Sequence, residues 1–330
     1  MKLFLKILGA IVLLLAALYL LAWSRSSKDY EPEYGISFSQ EYAGSLGLDW
    51  RVAYTAMLEE LSPKYVRIAA MWKQVEPEKF VYDFSEVDFM MDEAAKHGTK
   101  VTLVVGQKAP RWPECHVPQW LDYGQEVSKE HLLSYVEAVV ERYKTHEALE
   151  LWQIENEAFI HFTFGECEGY LEDAIYEEIE LVKSLDTEHK ILVTDSGELG
   201  LWRKAAKAGD YFGTTLYRIV RTPGGTIINY DWLPPAVYRW KAFLTGVDKE
   251  TFFIAELQGE PWFTDGNPTN TDIEQQELTM NPERLQKHID YANRIGAKRV
   301  YLWGVEWWQF MRTQHDDARY WDIAKETMTH

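Results

Sequence analysis

Eight apolar segments of strand length alternate with amphipathic helical segments from residue 34 onward, and no other feature of the sequence restricts the fold as strongly. Strands that are apolar on both faces are typical of a parallel sheet covered by helices on each side. Eight such units in a chain of 330 residues favour a closed barrel. No phosphate-binding glycine pattern follows the first strand to favour an open doubly wound sheet. The sequence therefore predicts an α/β fold, a (β/α)8 TIM barrel, as one domain over residues 34–330.

The predicted strands end where polar or turn-forming residues follow the apolar run. They cover residues 34–39, 64–72, 100–107, 149–157, 190–195, 211–220, 251–256 and 299–305. Capping residues such as Asp49, Ser85 and Asn281, and glycines such as Gly98, mark the ends of the predicted helices. These helices cover residues 49–61, 85–97, 128–146, 170–185, 201–208, 235–244, 281–296 and 318–328.

The first 25 residues differ in kind from the rest of the chain. No charged residue occurs from Ile7 to Trp23, while lysines precede this run and Arg25 and Lys28 follow it. A run of this length predicts a retained transmembrane helix over residues 1–25, followed by a linker over residues 26–33. Small residues around Trp23 leave a cleaved signal peptide as the alternative. We expect a single-pass protein of the cell membrane with its catalytic domain outside the cytoplasm, or a secreted protein if the segment is cleaved.

Charge and histidine spacing limit the partners. The net charge is -18, from 34 Lys plus Arg against 52 Asp plus Glu, without a basic cluster. Such a chain repels the phosphate backbone, so nucleic acid is not an expected partner. The histidines show neither the spacing of two metal ligands on one helix nor a His-x-His pair at a strand end. We expect neither a catalytic metal nor a cofactor.

The two cysteines fall in loops that follow neighbouring predicted strands. Cys115 follows the third strand and Cys167 follows the fourth. In a barrel these loops lie on the same face, and in an oxidising compartment the two residues are expected to form a disulfide. Two unrelated free thiols remain the alternative, because the separation of the Cα atoms cannot be read from the sequence.

Two glutamates stand at the ends of predicted strands, which is where chemistry occurs in this fold. Glu157 closes the apolar strand that begins at Leu149, and Glu256 closes the strand that begins at Thr251. A carboxylate costs free energy on leaving water unless it is paired or used. Glu157 and Glu256 are therefore the candidate catalytic pair. Glu260 is the alternative nucleophile, and Glu155 is interpreted as a supporting ion-pair partner.

These residues resemble the pattern of clan A retaining glycoside hydrolases. The resemblance rests on Val66-Arg67-Ile68 on the second strand, Asn156-Glu157 ending the fourth, a tyrosine on the sixth, Glu256 ending the seventh and Trp303 on the eighth. The segment 152–157, Trp-Gln-Ile-Glu-Asn-Glu, and the segments 75–77 and 82–84 are similar to a family of bacterial β-galactosidases. Ala158 stands where many clan members have proline, and the chain lacks that family's additional domains. Galactose specificity is therefore not carried over.

The resemblance implies a role for each residue in the pattern. Glu157 is implied as the acid/base and Glu256 as the nucleophile, two carboxyl groups that retaining hydrolysis needs about 5 to 5.5 Å apart. By the same resemblance, Arg67 keeps Glu256 ionised and Asn156 bonds the sugar 2-hydroxyl. Tyr217 donates a hydrogen bond to the nucleophile, with Tyr211 and Tyr230 as alternatives. Trp303 provides a platform for the sugar. Further tryptophans on predicted loops of this face are subsite candidates, above all Trp262 and Trp307, and also Trp72, Trp112 and Trp308.

The sequence thus predicts a retaining glycoside hydrolase that cleaves β-glycosidic bonds of a glycan or oligosaccharide by double displacement. Its expected partners are a carbohydrate substrate and the membrane. Two alternatives remain open: a non-catalytic glycan-binding barrel, and a transglycosylase that passes the same covalent intermediate to a sugar acceptor.

Overall fold

In the computed structural model, eight parallel strands close into a barrel surrounded by helices, so the predicted fold is confirmed. The structure describes residues 1–121, 129–160, 165–167, 169–222, 224–263 and 268–329. Ser128, the predicted start of one helix, lies outside these residues. The barrel strands follow the order β1, β10, β9, β6, β5, β4, β3, β2, and a separate antiparallel hairpin is formed by β7 and β8.

The ten strands are β1 Glu33–Ser37, β2 Tyr65–Ala69, β3 Lys100–Val105, β4 Leu149–Ile154, β5 Lys190–Asp195, β6 Tyr211–Leu216, β7 Ile219–Arg221, β8 Ile227–Asn229, β9 Phe252–Gln258 and β10 Arg299–Trp303. The longer helices are α1 Lys2–Ser24, α3 Trp50–Ala56, α5 Ser85–Lys96, α6 Lys129–Tyr143, α7 Ala174–Leu185, α9 Ala236–Thr245, α11 Pro282–Asn293, α12 Val305–Gln314 and α13 Arg319–Met328. The shorter helices are α2 Gln40–Ser45, α4 Trp72–Val75, α8 Ala205–Ala208 and α10 Ile273–Glu277. Met57–Leu61 continues α3 as a π-helical turn.

Two differences from the predicted elements bear on the active face. The predicted strand 211–220 ends at Leu216, because Tyr217 and the residues after it leave the barrel and form the β7–β8 hairpin. The predicted strand 299–305 ends at Trp303, and Gly304 turns the chain into α12 with a φ of 127°. Only glycine adopts this φ readily, and a Cβ there would lie 2.9 Å from the Cβ of Glu260.

The end of the barrel at which the strands begin is filled by aromatic side chains around one arginine. Arg299 lies 3.3 Å from the ring centroid of Tyr65 and binds Glu150 at 2.7 Å. The hydroxyls of Tyr301 and Thr102 lie 2.8 Å apart inside the barrel. Because this end is packed with side chains, a substrate can enter only at the opposite end, where the strands finish.

Among the described residues, one helix is long and apolar enough to cross a membrane, and it is the N-terminal helix α1. Its last turns contact the barrel. Ala22 is buried, and Tyr19 donates a hydrogen bond to the carbonyl of Trp232 at 2.8 Å. The backbone N–H of Ala236, the first residue of α9, donates to Ser26 Oγ at 3.0 Å. The candidate membrane span therefore meets the barrel beside the loop between β6 and α9.

Candidate active site

The chain leaves β4 through two glutamates with left-handed backbone conformations. Glu155 has a φ of 58° and Glu157 a φ of 46°. Such conformations cost an L-residue roughly 1–2 kcal/mol, so surrounding contacts must hold them. The carboxylate of Glu155 provides one such contact, because it accepts from the backbone N–H groups of Gln107 at 2.7 Å and Lys108 at 2.6 Å. It therefore ties the end of β3 to the end of β4.

This contact corrects the interpretation of Glu155 as an ion-pair partner, since its hydrogen bonds go to backbone groups. Gly106 allows the approach, because a Cβ at that position would lie 2.6 Å from Glu155 Oε1. Burial raises the pKa of Glu155 to about 7, and burial also raises the pKa of the neighbouring Glu178. Two adjacent buried carboxyls are stable together only when they share a proton.

Glu157, the predicted acid/base, is held between neighbouring strands. Thr215 Oγ1 donates to Glu157 Oε1 at 2.9 Å, and the backbone N–H of Glu157 donates to Thr194 Oγ1 at 3.0 Å. Burial, and secondly the negative charge of Glu256, raise the pKa of Glu157 to about 7. A carboxyl group with this pKa can be protonated near neutral pH, as a general acid must be.

Glu256, the predicted nucleophile, is 3% exposed. Its Oε1 accepts from Arg67 Nη1 at 2.9 Å, and its Oε2 accepts from the hydroxyl of Tyr217 at 2.7 Å. The pairing between β6 and β9 shifts just before it, since Thr214 pairs with Ile254 and Thr215 with Glu256. Irregularities of this kind re-aim side chains, and this one lies at the site. Among the three tyrosines considered from the sequence, Tyr217 is the one at the nucleophile.

Arg67 connects three strands across the mouth of the barrel. Besides Glu256, it donates from Nε to Gln153 Oε1 at 2.7 Å and from Nη2 to Asn156 Oδ1 at 2.8 Å. The amide oxygen of Asn156 therefore faces Arg67 and its Nδ2 group points elsewhere. That Nδ2 group lies 3.4 Å from Glu114 Oε2.

Glu114 is a third carboxyl group near the predicted catalytic pair, and no sequence pattern pointed to it. Burial, together with the charges of Glu157 and Glu256, raises its pKa to about 8, although Lys108 opposes the shift. Lys108 Nζ lies 4.0 Å from Glu114 Oε2 and 3.4 Å from the carbonyl of Glu157. The available signal was the neighbouring Cys115, because a disulfide at that position fixes the loop that carries Glu114.

Cys115 and Cys167 form a disulfide in the structure, with their Cα atoms 5.1 Å apart. The bond links the loop after β3 to the loop after β4. A bridge between two loops restricts their unfolded conformations and their movement in the folded state. The disulfide therefore limits the movement of the loop that carries Glu114 relative to the loop after β4, the strand that Glu157 follows.

A second arginine, Arg111, lies beside the catalytic pair. Its guanidinium stacks between the rings of Tyr42 and Trp303, 3.9 Å from each centroid, and binds the carboxylates of Glu260 and Glu306. Trp303 Nε1 also donates to Glu260 Oε1, at 2.9 Å. Glu260, the alternative nucleophile, is thus engaged by an arginine and a tryptophan.

A pocket opens between the ends of β1, β2 and β10. It is bordered by Arg67, Arg111, Trp303 and Glu306 together with residues of the first two strand ends. The guanidinium of Arg111 covers one face of the Trp303 ring. A sugar that uses Trp303 as a platform must therefore bind against its edge or its other face.

The remaining predicted aromatic residues divide into buried and accessible ones. Trp307 is fully buried in α12 and donates from Nε1 to Gln276 Oε1 at 2.7 Å, so the prediction that it binds substrate is wrong. Trp308 and Trp72 are fully buried as well. The sequence offered no sign that a helix follows Gly304 and turns this pair of tryptophans inward. Trp262 lies at the site, with its ring 5.3 Å from that of Tyr217, and Trp112 is exposed.

Comparisons with known proteins point to one group of enzymes. Residues 62–176 match the model of Glycosyl hydrolase family 10, a stretch that contains Arg67, Asn156 and Glu157. The β-galactosidase LacZ of Heyndrickxia coagulans is 26% identical over 137 residues, which are 34% of this chain and 20% of that protein. The resemblance to clan A glycoside hydrolases is confirmed. The matched residues are only a fifth of this relative's length, so the match does not establish that this chain has the relative's activity.

Solved structures resemble this chain in fold. A β-galactosidase from the Antarctic haloarchaeon Halorubrum lacusprofundi is 16% identical, with a TM-score of 0.58, and the match covers 90% of this chain and 57% of that one. Xylanase 10B from Thermotoga petrophila, solved in complex with xylobiose, is 16% identical, with a TM-score of 0.53, and the match covers 83% of this chain and 82% of that one. At these identities the likeness concerns the barrel fold alone.

In the described part of the chain, no group of three or more His, Cys, Asp or Glu side chains is arranged to hold a metal ion. The groups described around Glu157 and Glu256 include further carboxyls, the phenol of Tyr217, the guanidinium of Arg67 and the ammonium of Lys108. This set can transfer protons and supply a carboxylate nucleophile.

Proposed function

We propose that this protein is a retaining glycoside hydrolase that cleaves β-glycosidic bonds of a glycan or oligosaccharide. The observation that carries the proposal is the contrast between two carboxyl groups near the ends of two different strands, on the same face of the barrel. The two oxygens of Glu256 accept hydrogen bonds from Arg67 and Tyr217, while burial and the charge of Glu256 raise the pKa of Glu157 to about 7. A proton donor beside a second carboxyl group that can act as the nucleophile is the requirement of double displacement.

In the first step, Glu157 gives its proton to the glycosidic oxygen while an oxygen of Glu256 attacks the anomeric carbon. The bond between that carbon and the leaving oxygen breaks, and the aglycone departs as an alcohol. In the second step, ionised Glu157 takes a proton from water, and the water oxygen displaces Glu256 from the anomeric carbon. Arg67 and Tyr217 hold the Glu256 carboxylate in place through both steps, since both contact it directly.

Three residues are proposed to bind the sugar. Asn156 is held by Arg67, which fixes the orientation of its amide. Trp303 borders the pocket and Trp262 borders Tyr217. Both tryptophans offer ring surface of the kind that packs against a sugar.

The activity is tested by incubating the protein with a panel of activated 2-fluoro β-glycosides and mapping the labelled residue by mass spectrometry. A label on Glu256 is expected, and the Glu256→Gln variant serves as the control that takes up none. A label on Glu260 would identify Glu260 as the nucleophile in place of Glu256. The absence of any label, with glycan binding retained, would favour the non-catalytic barrel. Product analysis with an added sugar acceptor separates hydrolysis from transglycosylation.

We also propose that α1 remains in the mature protein as a single-pass anchor of the cell membrane, with the barrel outside the cytoplasm. The helix is of sufficient length and apolarity, and its last turns pack against the barrel through Tyr19 and Ala22. Membrane fractionation with N-terminal sequencing tests this. A soluble protein that begins near Arg25 would show that the segment is a cleaved signal.

A further inference from the structure

The C-terminal end of α1 is hydrogen-bonded to the loop that begins at Tyr217, the residue that contacts Glu256. Tyr217, the residue that donates to Glu256, opens this loop, and Trp232 near its end accepts a hydrogen bond from Tyr19 of α1 at 2.8 Å. The two ends of the loop are tied together, because the backbone N–H of Tyr230 donates to the carbonyl of Arg218 at 2.9 Å. This loop therefore contacts both the candidate membrane span and the proposed nucleophile.

The described residues of this loop expose apolar side chains, one of them on Trp232, whose carbonyl contacts α1. Ile227 and Ile228 on β8 are 39% and 37% exposed, and Trp232 is 58% exposed. We call these three residues the apolar edge. An antiparallel hairpin with isoleucines pointing into solvent exposes apolar area that water does not favour.

The position of α1 indicates what covers the apolar edge. A helix of 23 residues is about 35 Å long and matches the hydrocarbon thickness of a bilayer. Tyr19 and Trp23 pack edge to face at its C-terminal end, where aromatic residues of a spanning helix lie at the membrane surface. Because Tyr19 bonds to the carbonyl of Trp232, this residue of the apolar edge lies beside the aromatic pair.

Local charge is compatible with a lipid surface. Arg218 in residues 217–235 is buried, so Arg221 and the single acid Asp231 are the charged residues of this segment that can face a lipid surface, whereas the whole chain has a net charge of -18. Arg25 and Lys28 follow α1 directly. Anionic headgroups therefore meet basic residues here, although most of the protein surface would repel them.

We propose that the apolar edge enters the surface layer of the bilayer spanned by α1, so that the active site opens toward the headgroups and the enzyme acts on sugars carried by membrane lipids. This inference rests on the proposed glycosidase function for its substrate and on the retained helix for its geometry. Tethering a site beside its substrate raises the effective concentration without any additional contact in the pocket.

The orientation is tested with the full chain in phosphatidylcholine vesicles. An environment-sensitive fluorophore is attached to Ile228→Cys, and in the matched control to Phe243→Cys. Phe243 is 81% exposed near the opposite end of α9. The native cysteines are joined in a disulfide, so the new thiol is the one labelled. Spin-labelled lipids are expected to quench the probe at position 228 and not the probe at position 243. Quenching only at position 243, or at neither position, overturns the orientation.

The substrate class is tested by comparing two substrates of the same sugar. One is a soluble aryl β-glycoside, and the other is a diacylglycerol with a β-glucosyl or β-galactosyl headgroup in phosphatidylcholine vesicles. The triple variant Ile227→Ser, Ile228→Ser, Trp232→Ser is expected to lose about tenfold in glycolipid turnover and to keep its aryl glycosidase rate within about twofold. The control Phe243→Ser, Leu244→Ser is expected to keep both rates.

Equal losses on both substrates, or no loss on the glycolipid, overturn the assignment of lipid-borne sugars. A wild-type protein that cleaves neither substrate refutes the glycosidase function itself. In that case the quenching experiment still decides the orientation, so the two failures are distinguishable.

Discussion

Two arginine–glutamate clusters lie at the open end of the barrel and differ in what their carboxylates remain able to do. Arg67 binds Glu256 on one oxygen, and a phenol holds the other, with the protonatable Glu157 close by. Arg111 is stacked between two aromatic rings and bound by Glu260 and Glu306. The first cluster contains the predicted nucleophile and the predicted acid, whereas both carboxylates of the second are bound to Arg111.

The comparison shows that a buried ion pair alone does not identify a nucleophile. Both arginines are almost inaccessible, and both bind a glutamate on or just after β9. Each glutamate also lies near a second carboxyl group of raised pKa, since burial and Glu256 raise the pKa of Glu157 to about 7, and burial and Glu260 raise that of Glu306 to about 7. The difference lies in the partners of that second group. Glu306 is bound to Arg111 and to the backbone N–H of Ser39, whereas Glu157 accepts from the hydroxyl of Thr215.

The sharpest test compares Glu256→Gln with Glu260→Gln. Loss of the nucleophile is expected to lower kcat by more than roughly 10³-fold, whereas the Glu260 variant should stay within about tenfold, since it removes no reacting group. Steady-state rates on an aryl glycoside give both values. A reversed order of the two variants would exchange the roles of the clusters.

Substitution of the acid is expected to have the next largest effect, and one that depends on the leaving group. Glu157→Gln should lower kcat/KM by roughly 10²–10⁴-fold for poor leaving groups, because no proton is supplied to the departing oxygen. Activated aryl glycosides need little protonation and should lose less. The measurement is a series of aryl glycosides of graded leaving-group pKa. An equal loss across the series would argue against Glu157 as the acid.

The pH dependence of the rate follows from the raised pKa of Glu157. Activity needs this group protonated, so kcat/KM is expected to fall about tenfold per pH unit above pH about 7. The Glu260→Gln variant should show the same alkaline limb if the two clusters are independent. A limb that moves with Glu260 would show that the clusters titrate together.

Arg111→Lys is expected to affect binding more than chemistry. Lysine keeps the charge but lacks the planar group that stacks on Tyr42 and Trp303 and bonds two carboxylates. We expect KM to rise by about threefold to tenfold with kcat changed by less, a loss of roughly 1 kcal/mol in binding. Separate determination of kcat and KM checks this, and a fall in kcat alone would place Arg111 in the reaction.

Glu114→Gln is expected to have the smallest effect on rate and a visible effect on stability. The pKa of Glu114 is raised to about 8 in the folded protein, so the folded state binds more protons than the unfolded state between the ordinary pKa and pH 8. The free energy of unfolding therefore falls as pH rises through this window, by at most about 1.4 kcal/mol per pH unit for one group.

The variant removes the titrating group and should flatten that fall. Thermal unfolding of both proteins between pH 5 and 8 measures the slopes. Parallel curves would show that Glu114 titrates normally and that other carboxyls, such as Glu306, cause the loss.

Strand ends were the most predictable part of the site. Glu157 and Glu256 follow apolar runs whose parallel arrangement is readable from the alternation with helices, and parallel strands finish on one face. Arg67 and Asn156 lie on or next to these same strands. Loop conformation was less predictable, since nothing local announced that Gly304 would turn Trp307 into a buried helix.

The sequence by itself determined the barrel, its open end and the two carboxyls that face each other there, because apolar periodicity fixes strands and strand order fixes the face. Only the tertiary structure decided which groups surround those carboxyls. Glu114, Arg111 and Glu306 come from loops and a helix distant in sequence, and their partners depend on side chains meeting across the barrel mouth. The depth of the active site relative to α1 was also decided in space, by a bond between Tyr19 and Trp232 that spans 213 residues of chain.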